Sequence, residues 1–395
     1  MKFNIVDLFC GSGGLSDGFL QTKGFNTLAL IDWDQHSINT IKKRLSDKWG
    51  YRNTDRLALL FDLQRVTELL DGYKDKIYGE SEGLRKIVGN QQIDFVIGGP
   101  PCQAYSIAGR VQDKDGMQND YRNYLFESFI HIVNEFRPKA FVFENVMGIL
   151  SAKPGGIHIT DRIKGAFDQI GYAISSNLRE NALFDMSFFG IPQVRKRVII
   201  FGVPKENKNE LDTFYRHLWG YKNPVQEPLK NYLSDLPKIY PINPDGKRIS
   251  HLTESGTVIK NHIPRFHNER DVKIFQILAD DIVKGKGKYK STQARKDLYK
   301  TFTNRNSNFH KHHVLELNKP SNTIPAHLYK DGLRHIHPDP YQARSITPRE
   351  AARLQTFSDD FEFIGPMGEQ YKMIGNAVPP KFARLIANTI LKLYP

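Results

Sequence analysis

The stretch Asn4-Ile5-Val6-Asp7-Leu8-Phe9-Cys10-Gly11-Ser12-Gly13-Gly14 decides the fold. Asn4–Leu8 reads as a short buried strand and Ser12–Lys23 as a helix, with glycines at 11, 13 and 14 between them. Glycines allow a tight turn and close backbone approach, and the helix N-terminus that follows favours an anion. A strand–glycine turn–helix unit therefore points to a nucleoside cofactor. Asp32 ends the next apolar run, 21 residues after Gly11, where an acid can take ribose hydroxyls. A nicotinamide-binding fold competes at this point. Its full fingerprint needs a third glycine at position 16, where this chain has Ser16. No Lys-Ser/Thr pair follows, which argues against a phosphate-loop NTPase.

The pattern continues outward. Thr27–Ile31, Leu57–Phe61, Ile93–Ile97, Ala140–Phe143 and Val198–Val203 read as further strands, and 35–45 and 123–135 as helices. Alternation of this kind predicts an α/β domain with a parallel sheet. Successive strands end at Cys10 and its glycines, Asp32, Asp62, Gly98-Gly99-Pro100-Pro101-Cys102 and Glu144-Asn145. Ligands of open α/β sheets bind at the carboxyl ends of the strands, so these ends describe one pocket.

Three of its groups have chemical potential. Cys102 follows two prolines that fix the backbone, and it is either a buried free thiol or a nucleophile on a rigid elbow. No neighbouring histidine pattern supports a papain-like protease. Glu144 ends an apolar strand, which is costly for an acid unless it is paired, so it is either salt-bridged or a general acid. Arg195 and Arg197 lead into a strand on one face and could hold an anion or a carbonyl oxygen.

Composition narrows the class further. The chain has 395 residues, with 56 Lys and Arg against 43 Asp and Glu, a net charge of +13. Residues 205–320 hold 22 basic and 13 acidic residues, a local +9, and 7 of the 13 histidines. The densest run, 284–300, has seven basic residues against Asp297. The whole segment 205–320 is either a solvated insertion or linker, or a small irregular domain gripping nucleic-acid phosphates. Two cysteines exclude a disulfide framework or a cysteine-rich zinc site, and no metal is expected. No apolar run approaches the about 20 residues of a membrane span, and the N-terminus lacks a signal-peptide pattern. The chain is expected to be cytoplasmic, with no membrane partner.

The motifs Asp7–Gly14, Pro100-Pro101-Cys102-Gln103, Glu144-Asn145-Val146, Gln193-x-Arg195-x-Arg197, Arg344–Gln355 and Gly375-Asn376-Ala377-Val378 occur in one order. In that order they resemble the DNA (cytosine-5) methyltransferases, over roughly residues 3–204 and 320–395. The basic middle falls where that family has its variable target-recognition segment. The resemblance implies a doubly wound Rossmann-like S-adenosylmethionine methyltransferase domain, 1–204 plus 368–395, and a smaller irregular DNA target-recognition domain, 205–367. It implies Cys102 as nucleophile, Glu144 on the cytosine ring nitrogen, and Arg197 with Arg195 on the ring carbonyl. It places S-adenosylmethionine, leaving as S-adenosylhomocysteine, against Phe9, Gly11, Gly13, Gly14, Asp32, Trp33, Asp62, Pro100, Leu125 and Asn376. The family more often has Glu at the Asp32 position and Gly at the Phe61 position. DNA contacts are expected from Gln103, Ser106, Arg110 and Arg122, and from Lys284, Lys286, Lys288 and Lys290. The implied partner is double-stranded DNA, with a cognate restriction endonuclease as functional counterpart and a monomeric state. A tRNA cytosine methyltransferase shares nearly the same motifs, and a non-catalytic DNA-binding protein is a further alternative. If Asn376 joins the cofactor, the amphipathic final helix, 380–393, must pack back on the first domain.

Overall fold

The computed structural model describes residues 2–101, 125–242, 249–254, 259–306, 311–330 and 332–395. The chain divides into two compact units. The first holds Met1–Phe189, Arg195–Pro224 and Ala377–Pro395, and the second Gly190–Val194 and Val225–Asn376.

The first unit is built on an eight-stranded sheet. Its strands are β1 (Phe3–Leu8), β2 (Phe25–Asp32), β3 (Ala58–Leu60), β4 (Phe95–Gly98), β5 (Ala140–Val146), β6 (Tyr172–Ile174), β7 (Leu183–Asp185) and β8 (Lys196–Pro204). The order is β3-β2-β1-β4-β5-β8-β6, with β7 also paired to β8. The first five strands run parallel, and β8 runs antiparallel to β5. The chain winds from β1 out to β3 and then returns to the other side of β1. This creates the switch point, between β1 and β4, at which α/β sheets bind ligands. The α/β Rossmann-like architecture read from the sequence is therefore the one observed.

Local chemistry explains the helices. In α1 (Gly14–Leu20) all seven residues are buried. A Cβ at Gly18 would lie 2.4 Å from Ala383 Cβ and from the Pro380 carbonyl, so glycine is required where α1 meets the C-terminal helix Pro380–Leu393. The side chain of Asp34 caps α2 (Gln35–Trp49) by accepting from Ser37 N at 2.8 Å. Ile38, Ile41 and Leu45 of α2 then bury against Leu30 and Ala58.

The first unit runs on through α4 (Glu210–Trp219), beyond the boundary at 204 expected from sequence; α3 (Leu125–Phe136) lies earlier in the chain. Phe214 of α4 stacks on Phe201 at 3.9 Å. The Tyr215 hydroxyl donates to Ile199 O at 3.0 Å and accepts from Phe201 N at 3.1 Å. It sits where β8 has left β7, paired at Lys196–Val198, and has not yet met β6, paired at Gly202–Pro204. One tyrosine thus satisfies strand groups that would otherwise be orphaned in a buried edge.

The second unit contains α5 (Glu269–Val283), α6 (Thr292–Thr303), α7 (Pro348–Leu354) and α8 (Met367–Asn376). Asn268 and Ser291 cap α5 and α6. Ile274, Phe275, Leu278, Leu298, Val314 and Ile336 form a core beneath them. At α7, Thr347 and Glu350 form the capping box that the sequence predicts. Glu350 also accepts from both terminal nitrogens of buried Arg344, at 2.7 Å each. The Arg349 guanidinium, with no exposed surface, donates to the carbonyls of Lys260, Ser358 and Phe361. Histidines fill the remaining interior. His251 bridges Ser250 Oγ and the Gln342 carbonyl, and His262 bridges Thr347 Oγ1 and the Pro237 carbonyl. No helix among the described residues is long and apolar enough to cross a membrane.

Candidate active site

The glycine loop leaves β1 through three left-handed residues, Phe9 (φ 56°), Gly11 (φ 53°) and Gly13 (φ 82°). At Phe9 this conformation costs of order 1–3 kcal/mol and is held by the surrounding structure. Gly11 N donates to Asp32 Oδ2 at 2.8 Å, and Asp34 N donates to Asp32 Oδ1 at 2.9 Å. Asp32 therefore braces the loop against the end of β2. Burial raises its carboxyl to about 6, against the backbone donors that favour the anion. Trp33, next to it, is 53% exposed and offers an open aromatic face.

Ser16 stands where a dinucleotide site would have its third glycine. Its hydroxyl donates to Asp7 Oδ2 at 2.6 Å, beneath the first turn of α1. Asp7 has no exposed surface, and burial pushes its carboxyl up to about 7. Sequence reasoning did not single out Asp7, although an acid within the apolar run of β1 was the available signal. Cys10 packs with Leu20, Leu30, Ile38 and Ile41. Burial, with Asp32 and Asp7 nearby, pushes its thiol well above the usual range, so it is a core residue and not a nucleophile.

Asp62 follows β3 and caps a short turn, accepting from Gln64 N at 3.0 Å. Phe61 before it is fully buried and stacks on Tyr73 at 4.0 Å. The large ring therefore points into the core, which is how this position carries Phe while Asp62 stays at the edge.

At the other side of the switch point, β4 delivers Gly99 and Pro100, and β5 delivers Glu144 and Asn145. Asn145 Nδ2 donates to the Pro100 carbonyl at 3.4 Å, tying the two strand ends together. A Cβ on Gly99 would lie 2.9 Å from Glu144 Oε2, so the glycine makes room for that carboxylate. Glu144 Oε1 pairs with Arg197 Nε at 2.9 Å, both largely buried. The pairing follows from register, since Glu144 lies opposite Ile199 and Arg197 two residues earlier on β8. Arg195 is 1% exposed and donates to the Ala377 carbonyl at 2.9 Å. Its burial disfavours the charge, as does Arg197, whereas Glu144 favours it. The structure thus joins Glu144, Arg197 and Arg195 in one electrostatic group.

Leu125 opens α3 and is buried. Asn376 ends α8 in the second unit and is exposed. Gln193 is fully buried. It lies in the second unit, donating to the Leu354 carbonyl and Gln355 Oε1. Lys284, Lys286, Lys288 and Lys290 are all exposed in the loop between α5 and α6. Cys102, Gln103, Ser106, Arg110 and Arg122 lie outside the described residues.

Comparison with known proteins adds to this geometry. The family model for the C-5 cytosine-specific DNA methylases matches residues 70–392. The type II methyltransferase M.Bpa9945I of Bacillus paralicheniformis is 35% identical, over 98% of both chains. M.DdeI of Desulfomicrobium norvegicum, also named a type II methyltransferase, is 30% identical over 98% of this chain and 88% of its own. A prophage-encoded DNA modification methyltransferase candidate from E. coli shares the fold, with a TM-score of 0.64, 24% identity and coverage of 100% and 99%.

Proposed function

From the premise that this chain belongs to the C-5 cytosine-specific DNA methylase family, we propose how its residues carry out S-adenosylmethionine-dependent methylation of cytosine in DNA. The observation that carries the reading is the buried Glu144–Arg197 pair beside the Gly99–Pro100 strand end. Carbon 5 of cytosine is a poor nucleophile. Addition of the Cys102 thiolate to carbon 6 makes the ring an enamine with electron density at carbon 5. Glu144 binds or protonates ring nitrogen 3, drawing electrons in the useful direction. Arg197, oriented by Glu144 and backed by Arg195, holds the ring carbonyl oxygen and its developing charge. S-adenosylmethionine supplies an electrophilic methyl group. Loss of the carbon 5 proton and expulsion of the thiolate then restore the aromatic ring and free Cys102. Carbon 5 is out of reach within a duplex, so the cytosine is flipped out first.

On the cofactor side, Phe9, Gly11, Gly13 and Gly14 lie along the methionine and adenosine portions. Asp32 takes the ribose hydroxyls through lone pairs left free by its backbone hydrogen bonds. Trp33 lies against the adenine, and Asp62 accepts from the adenine amino group. Pro100 and Leu125 complete the apolar wall. The core position of Cys10 leaves Cys102 as the cysteine for nucleophilic work. The names of the relatives support a place as the modification member of a restriction–modification system, with a paired endonuclease that spares the methylated site.

Incubation with labelled S-adenosylmethionine and either plasmid DNA or tRNA tests this reading. Label is expected in DNA cytosines at a defined sequence, mapped by bisulfite sequencing. Label in tRNA alone would overturn it.

A further inference from the structure

The loop between α5 and α6 reads Lys284-Gly285-Lys286-Gly287-Lys288-Tyr289-Lys290, with a lysine at every second position. Seven residues with two glycines and four like charges would ordinarily be a loose segment, since glycine widens the choice of backbone and the lysines repel one another. This loop is instead fixed from within. Asp281, in the last turn of α5, is 4% exposed and points its carboxylate into the loop. Oδ1 accepts from Lys288 N at 2.9 Å, and Oδ2 accepts from Tyr289 N at 3.0 Å. The Asp281 carbonyl accepts from Lys286 N at 3.1 Å. Gly285 (φ 63°) and Gly287 (φ 68°) supply the left-handed turns this path needs. From the far side, Arg295 of α6 donates to the carbonyls of Tyr289 and Lys290 at 3.1 and 2.9 Å. Tyr289 packs on the core beneath the two helices.

The charge left over faces outward. Asp280 pairs with Lys284 at 2.6 Å and with Lys286 at 3.4 Å. One carboxylate shared between two lysines leaves the loop strongly cationic, with Lys288 and Lys290 beyond it. The carboxylate nearest the loop backbone is buried and turned inward, where it binds backbone amides and not lysine heads.

We propose that Asp281 is a positioning residue that holds loop 284–290 as a preformed grip for the phosphate backbone of duplex DNA. This rests on the DNA reading above and adds that the affinity comes from a locked loop. An ordered cation array binds phosphate with less entropy lost than a flexible lysine tail, and phosphate contacts add affinity without reading sequence.

Charge and preorganisation predict opposite signs for Asp281→Asn. If Asp281 acts only through its charge, removing an acid beside four lysines tightens DNA binding. If it holds the loop, the amide accepts one backbone N–H and opposes the other with a donor, and binding weakens. The test measures fluorescence anisotropy of the full chain with a labelled 30-base-pair duplex across a salt series. Because each lysine on a phosphate contributes about 1 to the slope of log affinity against log salt, Lys288→Ala/Lys290→Ala should lower the slope by about 2. Asp281→Asn should lower it by at least about 1 and weaken binding by about tenfold near 0.1 M salt. The loss should be equal for duplexes with and without the methylated sequence. An unchanged melting midpoint and unchanged S-adenosylmethionine binding separate a local change from unfolding. Tighter binding by Asp281→Asn, or an unchanged slope in the double lysine variant, would overturn the proposal. Neither outcome bears on whether DNA cytosine is methylated, which the labelling experiment decides alone.

Discussion

Replacing Glu144 by Ala is expected to lower the rate of methyl transfer by about 10²–10⁴-fold, the range for a lost general acid. Two effects act together in this variant. The proposed hydrogen bond to ring nitrogen 3 is lost, and Arg197 loses the carboxylate that fixes its Nε at 2.9 Å. The second effect is severe because Glu144 pairs with Arg197 and also favours the charge of buried Arg195. Glu144→Gln separates the two contributions, since its amide still donates a hydrogen bond but brings no negative charge to Arg197. It should retain more activity than Ala while staying far below the unaltered protein. Asp32 and the glycine loop belong to other strand ends, so S-adenosylmethionine should bind both variants nearly as before. Single-turnover rates together with cofactor binding isotherms check this. A Glu144→Ala protein within a few-fold of full activity would remove Glu144 from the chemistry.

Acidification should unfold the second unit before the first. In the second unit, burial pulls His251, His335 and His337 down to about 4 and His267 to about 3, with Arg344 adding to the effect at His251, His267 and His337. An unfolded histidine titrates near 6.5. Above that pH both states are neutral and the unit has its full stability. As the pH falls from 6.5 toward 4, the unfolded chain takes up protons that the folded unit refuses, and stability is lost. Each such group can cost up to about 3 kcal/mol, and several together rival the 5–15 kcal/mol that holds a typical domain.

The first unit responds with the opposite sign. Burial raises Asp7 to about 7 and Asp32 to about 6, above the 3.9 of an unfolded aspartate. Between pH 7 and 4 the folded unit takes up these protons first, so the two groups contribute stability as the pH falls. All three tryptophans, Trp33, Trp49 and Trp219, lie in the first unit. Tryptophan emission should therefore shift only after protease cleavage within 225–376 has begun. Coincident transitions, or an earlier emission change, would contradict this.

The sheet was legible because each strand is an apolar run that ends in glycine or an acid, and those endings are also the candidate site. Asp32, Glu144 and Arg197 could be picked out because a charged residue at the end of an apolar strand needs a reason. The partner was harder to read. That Glu144 meets Arg197 depends on an antiparallel register between strands 50 residues apart, which no local pattern encodes. Asp7 was passed over because its counterpart, Ser16, looked only like a missing glycine. The extension of the first unit to Pro224 had a usable signal in Leu211, Phe214, Tyr215 and Leu218, an apolar helix face. In the basic segment, lysine spacing was visible but the placement of the histidines was not. Their partners, Ser250, Gln342, Thr347 and Ser345, place His251, His262 and His267 in the interior.

The proposed mechanism turns on a covalent bond from Cys102 to cytosine. The most direct measurement is trapping on duplex DNA carrying 5-fluorocytosine at the methylated position, with S-adenosylmethionine present. Fluorine at carbon 5 cannot leave as a proton does, so the adduct persists after denaturation. The unaltered protein should give a band shifted by the mass of the DNA, and Cys102→Ser should give none while still binding the duplex. A shifted band that persists in Cys102→Ser would contradict the mechanism.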